Sequence, residues 1–156
     1  MAKGVELIAG MIRNGKTICI ASDFDVDGVF AGYILWRGIG RCGGSAYVEA
    51  PDRVLEGYGL NERIVRDAKK REAGCILTCD NGIAAIDAVQ KAVDKGLTTI
   101  VTDHHGLPVT KKLDVINGEM VYINEYTIPN AHCVINPHME ESMNEPGHYD
   151  FYDYCG

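Results

Sequence analysis

Apolar positions along this chain switch repeatedly between a helical rhythm and short unbroken runs. Val5, Ile8 and Ile12 fall at helical spacing within residues 2–14, Leu7 and Met11 widen that face, and Gly15 follows as a stop. Lys16 to Ala21 is a short β-branched run that predicts a buried strand, ending at Asp23-Phe24-Asp25-Val26-Asp27-Gly28. Residues 29–39 predict a strongly apolar helix, and a glycine-rich turn then leads to a second strand, Ser45 to Glu49. Pro51 to Leu60 reads as a loop, with Asn61 as the N-cap of a charged helix reaching about Glu72. Cys75 to Cys79 predicts a third strand that ends at Asp80-Asn81-Gly82, and Ile83 to Lys95 a helix stopped by Gly96. Leu97 to Thr102 predicts a fourth strand, ending at Asp103-His104-His105-Gly106. Residues 107–130 are mixed, with strand candidates at 113–116 and 119–123, and residues 133–137 predict a last strand before a polar tail from His138.

Strands alternating with helices predict an α/β fold in three layers, a mostly parallel sheet with helices on both faces. In such a sheet, ligands bind outside the carboxyl ends of the strands. Three acidic or imidazole clusters, Asp23/Asp25/Asp27, Asp80 and Asp103/His104/His105, sit at three strand ends and are thereby brought to one edge. Crowded carboxylates repel, and a divalent cation removes that cost. Carboxylate plus imidazole donors suit Mn2+ or Mg2+, with Fe or Zn as alternatives. Several such groups suggest two ions about 3.5–4 Å apart, the arrangement used for phosphoester hydrolysis.

Each cluster also has a plainer reading. Asp23-x-Asp25-x-Asp27-Gly28 matches the start of a calcium loop, yet the twelfth position, which needs Glu, is Ile34. It can also be a solvated acidic turn. Asp80-Asn81-Gly82 can be a turn with a helix cap, and Asp103-His104-His105 a capping Asp with two surface histidines. His132, His138 and His148 read as surface or tail residues, and Asn136-Pro137 as a turn.

The 156 residues, 46% hydrophobic and 24% charged, fit a single globular domain, 1–156. Fifteen Lys and Arg against 22 Asp and Glu give a net charge of -7. A protein that holds nucleic acid by bulk charge is basic, so any nucleic acid here meets a local basic patch or a metal. No apolar run is long enough for a membrane span and the first residues lack a signal-peptide pattern. With no secretion signal, Cys19, Cys42, Cys75, Cys79, Cys133 and Cys155 are expected to be reduced, which fits a cytoplasmic protein.

Asp23-Phe24-Asp25-Val26-Asp27-Gly28, Cys79-Asp80-Asn81-Gly82-Ile83 and Thr102-Asp103-His104-His105 resemble motifs I, II and III of the DHH phosphoesterase family, whose domain is Rossmann-like. Pro51-Asp52-Arg53-Val54-Leu55-Glu56-Gly57-Tyr58-Gly59-Leu60 and Cys133-Val134-Ile135-Asn136-Pro137-His138 are similar to stretches of its RecJ-type single-stranded-DNA-specific exonucleases. The resemblance implies that Asp25 ligates a first metal with Asp23 beside it, and that Asp80 bridges to a second held by Asp27 and His104. It implies that Asp103 orients the site, that His105 contacts the scissile phosphate, and that a hydroxide activated by the two metals attacks. Arg53 is a candidate phosphate contact, with a surface pair to Glu56 as the alternative. Ala21 stands where many members carry His, which implies weaker hold on one ion. The family continues past the equivalent of Gly156 with a fourth motif and a substrate-binding domain, so the expectation is an N-terminal catalytic part that needs a C-terminal domain.

The implied activity is 5′-to-3′ hydrolysis of single-stranded DNA. Alternatives are cleavage of short oligonucleotides or cyclic dinucleotides, and a metal-binding module without turnover. A haloacid-dehalogenase-type phosphatase with an aspartyl-phosphate would use Asp25 and Asp27 but leaves Asp103-His104-His105 without a role.

Overall fold

The computed structural model of the chain describes residues 1–116 and 119–139. The polar tail beyond Met139, with His148 and Cys155, lies outside the described residues. The elements are α1 (Ala2–Arg13), β1 (Thr17–Ser22), α2 (Val26–Arg41), β2 (Ser45–Glu49), α3 (Glu62–Lys70), β3 (Cys75–Cys79), α4 (Ile86–Asp94), β4 (Thr98–Thr102), β5 (Val109–Ile116), β6 (Glu119–Tyr126) and β7 (Cys133–Ile135).

Five strands form one sheet in the order β2-β1-β3-β4-β7, and every pairing in it is parallel. Alternation along each strand explains the layers. Ile18 and Ile20 of β1, Leu77 of β3 and Ile100 of β4 point to one face, where they meet Ile39 of α2 and Leu7, Ile8 and Met11 of α1. Cys19, Ala21, Ile76 and Val101 point to the other, against Ile64, Val65 and Ala68 of α3 and Ala88, Val89 and Ala92 of α4. Strands buried on both faces read as continuous apolar runs, which is why β1, β3 and β4 were visible in the sequence.

The chain order reverses direction between β1 and β3. From β1 it crosses by α2 to β2 on one side, and by α3 it returns to β3 on the other. This is the switch point of a doubly wound sheet, where a crevice opens at the carboxyl ends. The expected α/β architecture is present, and several elements differ in extent; β7 stops at Ile135 rather than residue 137, and α2 runs on to Arg41. α2 starts at Val26, not residue 29, because Asp25 caps it by accepting the Gly28 N–H at 3.0 Å. α4 starts at Ile86, not Ile83, because the Ile83 N–H donates to Asp103 and Ala85 closes a turn on Gly82. The candidates at 113–116 and 119–123 extend to the whole of β5 and β6, an antiparallel hairpin between β4 and β7. The Asn61 cap of α3 is formed, by acceptance from the Ile64 N–H at 3.0 Å.

Among the described residues, no helix is long and apolar enough to cross a membrane. Cys19, Cys42, Cys75, Cys79 and Cys133 are free thiols.

Two glycines of α2 are opposites. A Cβ on Gly28 would lie 2.6 Å from the Asp23 carbonyl oxygen and 2.7 Å from its Cβ and its nitrogen, whereas nothing lies within 4 Å of one on Gly38. In denaturant unfolding, Gly28→Ala is expected to cost about 1–3 kcal/mol by overpacking. Gly38→Ala should instead stabilise by about 0.5 kcal/mol, because it restricts the unfolded chain.

Candidate metal centre

The loop after β1 carries Asp23, 1% exposed, and Asp25, which faces solvent at the α2 cap. Gly28 allows the first turn of α2 to lie directly on the Asp23 backbone. The loop after β3 carries Asp80, 4% exposed, in the left-handed region with φ of 61°. A carboxylate residue tolerates that conformation better than a branched one. Asn81, fully buried, ties the strand ends together: its Nδ2 donates to the carbonyls of Ala21 and Cys79 at 2.9 Å each, and its Oδ1 accepts from Leu60 N–H at 3.0 Å.

The loop after β4 is organised by Asp103. Its Oδ2 accepts from the Ile83 N–H at 2.9 Å. Its Oδ1 accepts from the N–H groups of His104 at 2.8 Å and His105 at 3.1 Å, and lies 2.7 Å from His105 Nδ1. Both oxygens are occupied, so this buried carboxylate orients the two histidines. His104 turns its Nε2 to Asp80 Oδ1 at 2.9 Å.

These loops bring donor atoms of Asp23, Asp25 and Asp80 within 4.8 Å of one another, and do the same for Asp80, His104 and His105. Asp80 belongs to both groups. The Asp27 carboxylate belongs to neither, although Asp27 lies in the first turn of α2 beside them. The crowding is visible in the acidities. Burial, then the charge of Asp25, pushes the Asp80 carboxyl up to about 6, against the opposing pull of His104. Burial also raises Asp23, while the Gly28 N–H holds Asp25 below its ordinary range.

The donor set fits a divalent cation. Asp23 Oδ1 and Asp80 Oδ2 are buried with no hydrogen-bond partner, a costly condition for a carboxylate that a cation would relieve. The donors are hard oxygens with imidazole, suited to Mn2+ or Mg2+. Cys79 does not join them, because it is buried in the apolar cluster with Ile18, Ile20 and Leu77.

The structure adds residues that the sequence pattern did not single out. The Tyr58 hydroxyl donates to the Asp80 carbonyl at 2.9 Å and lies 3.0 Å from His105 Nδ1. Its ring stands edge-on to Phe24 and to His105. Asn136 is more than a turn residue: it is buried, and its Nδ2 donates to the His105 carbonyl at 2.8 Å. His132 is exposed as expected, yet its Nδ1 accepts the Thr99 N–H at 3.1 Å. The alternative pairing of Arg53 with Glu56 is not formed. Glu56 binds Arg63 instead, while exposed Arg53 rests on the Phe24 ring, 5.3 Å from its centroid.

The sequence profile of the DHH family, N-terminal domain, matches residues 17–146. Single-stranded-DNA-specific exonuclease RecJ of Escherichia coli (strain K12) is 34% identical over 142 residues, covering 89% of this chain and 21% of that protein. The RecJ of Thermus thermophilus is 33% identical over 106 residues, covering 67% of this chain and 16% of its own length. This chain thus spans about a fifth of the curated relatives it matches. Among solved structures, exonuclease RecJ bound to manganese aligns with a TM-score of 0.69 at 27% identity, over 88% of this chain and 31% of that one.

Asp80 links pH to stability. Its folded-state pKa is raised, so without metal the folded protein binds more protons than the unfolded chain between about pH 4 and 6. Stability is therefore lost as pH rises through that window and regained as it falls. In metal-free thermal unfolding at pH 7, Asp80→Asn is expected to stabilise by about 1–3 kcal/mol and to flatten the pH dependence between 4 and 6. A destabilised, equally pH-dependent Asp80→Asn protein would contradict the strain assigned to this carboxylate.

Proposed function

The chain belongs to the DHH family, and from that premise we propose that it is a metal-dependent phosphodiesterase domain whose whole protein degrades single-stranded DNA from the 5′ end. The observation that carries this reading is the convergence of Asp23, Asp25, Asp80, His104 and His105 around two buried carboxylate oxygens without partners. Asp23, Asp25, Asp80 and His104 are assigned to two Mn2+ or Mg2+ ions, with Asp80 shared. Such ions, when bound, lower the pKa of water and offset the charge of a phosphodiester.

The chain's own residues then divide the remaining tasks. Asp103 occupies one nitrogen of His105 and fixes its ring. The other is assigned to the scissile phosphate, at a side chain 45% exposed on the rim. Arg53, exposed beside Phe24, is assigned to a substrate phosphate, which its planar guanidinium matches. Asp27, in the first turn of α2, is assigned to the second ion with His104, although it falls in neither of the two donor groups. Grip on a longer strand is assigned to further protein of the kind the longer relatives contain, since this chain has a net charge of -7. The five free thiols among its described residues fit the cytoplasm.

A second reading is a module that binds metal at these residues without turning over substrate. The test is Mn2+-dependent release of nucleotides from 5′-phosphorylated single-stranded DNA, with a short dinucleotide and a cyclic dinucleotide in parallel. The expected result is release that falls at least about a thousandfold in Asp80→Ala, the scale for groups acting as a unit, with the single strand preferred. Equal release by Asp80→Ala, or in chelator, would overturn the assignment. Metal binding without release from any substrate would establish the second reading.

A further inference from the structure

Tyr58 reaches the metal centre from a loop whose conformation its own backbone does not dictate. The residues on either side of it, Gly57 and Gly59, have φ of 78° and 73°, in the region where glycine is freest. Two glycines around a tyrosine leave its direction open, so something outside the turn must set it. On one side that anchor is Asn81, which accepts the Leu60 N–H. On the other it is Arg63, on α3 and outside the centre. Its Nε donates to Glu56 Oε1, its Nη2 to the Ala50 carbonyl at 3.0 Å, and its Nη1 lies 3.4 Å from Glu49 Oε2. Glu56 passes the restraint on through Oε2, which accepts the Asp52 N–H at 2.8 Å, and Asp52 in turn accepts from Val54 and Leu55. The guanidinium thus binds both the start of the loop and its middle, with a planar fork that a lysine cannot reproduce.

We propose that Arg63 is a positioning residue: by holding Glu56 it fixes the loop 51–60 so that the Tyr58 hydroxyl stays on Asp80 and His105. This rests on the metal-centre reading above. Arg63 touches neither ligand nor substrate; it acts through Tyr58, and Tyr58 acts on the backbone of the ligand shared by both groups. Partners of this kind, one step removed from a metal, set ligand direction and change affinity by about 10- to 100-fold.

The test is a double-mutant cycle in the 156-residue chain, read by calorimetric titration with Mn2+ and by hydrogen exchange of the loop amides. Arg63→Met and Tyr58→Phe are each expected to weaken Mn2+ binding about tenfold. The double variant is expected to be no weaker than the poorer single variant, because the two act in series. Arg63→Met should also speed exchange at residues 52–58 while α4 and β3 keep their protection. A merely structural Arg63 would lower the melting temperature and leave the affinity of the folded protein unchanged, which overturns the proposal. Additive losses, about a hundredfold in the double variant, overturn it as well. A wild-type chain that binds no Mn2+ refutes the metal-centre reading instead. The clamp is then decided by exchange alone, and unchanged exchange at 52–58 in Arg63→Met refutes it.

Discussion

One oxygen of Asp23 and one of Asp80 lie buried without a hydrogen-bond donor, and the arrangement of the carboxyl edge of the sheet follows from that deficit. A carboxylate removed from water and left unpaired is among the more expensive features a fold can carry. Of the neighbours of Asp80, Asp25 worsens the repulsion and His104 eases it. What is unpaired in the protein alone is a donor set suited to a divalent cation.

The sheet supplies the precision this requires. Parallel strands β1, β3 and β4 start in register and end together, so three loops far apart in sequence open at one edge. Buried amide and carboxylate groups then lock those loops. Asn81 bonds the ends of β1 and β3 and the loop before α3, and Asp103 collects N–H groups from Ile83, His104 and His105. The two residues divide the work. One holds strand ends at a fixed separation, and the other holds the backbone of both histidines and the imidazole of His105.

Much of this was legible in the sequence because it follows from short-range rules. Apolar runs marked the central strands, and each was followed at once by its acidic cluster. The sheet geometry then placed those clusters side by side. What was not legible depends on contacts without a period. Tyr58 meets Asp80 and His105 at separations of 22 and 47 residues, and nothing local marks it among the loop residues Pro51 to Leu60. Glu56 lies three residues from Arg53 yet pairs with Arg63, because α3 brings that side chain back over the loop. The late start of α4 has the same origin, since the Ile83 N–H is claimed by Asp103 from another strand end. Asn136, which looks like an ordinary residue before proline, is engaged by the backbone of His105.

The central claim, that these strand ends form a two-cation site sharing Asp80, is tested most directly by anomalous diffraction from crystals of the chain soaked in Mn2+. The account predicts two peaks at the carboxyl edge of the sheet, one beside Asp23 and Asp25, one beside His104, with Asp80 in contact with both. An empty centre, or manganese bound only at acidic residues elsewhere on the surface, would contradict it.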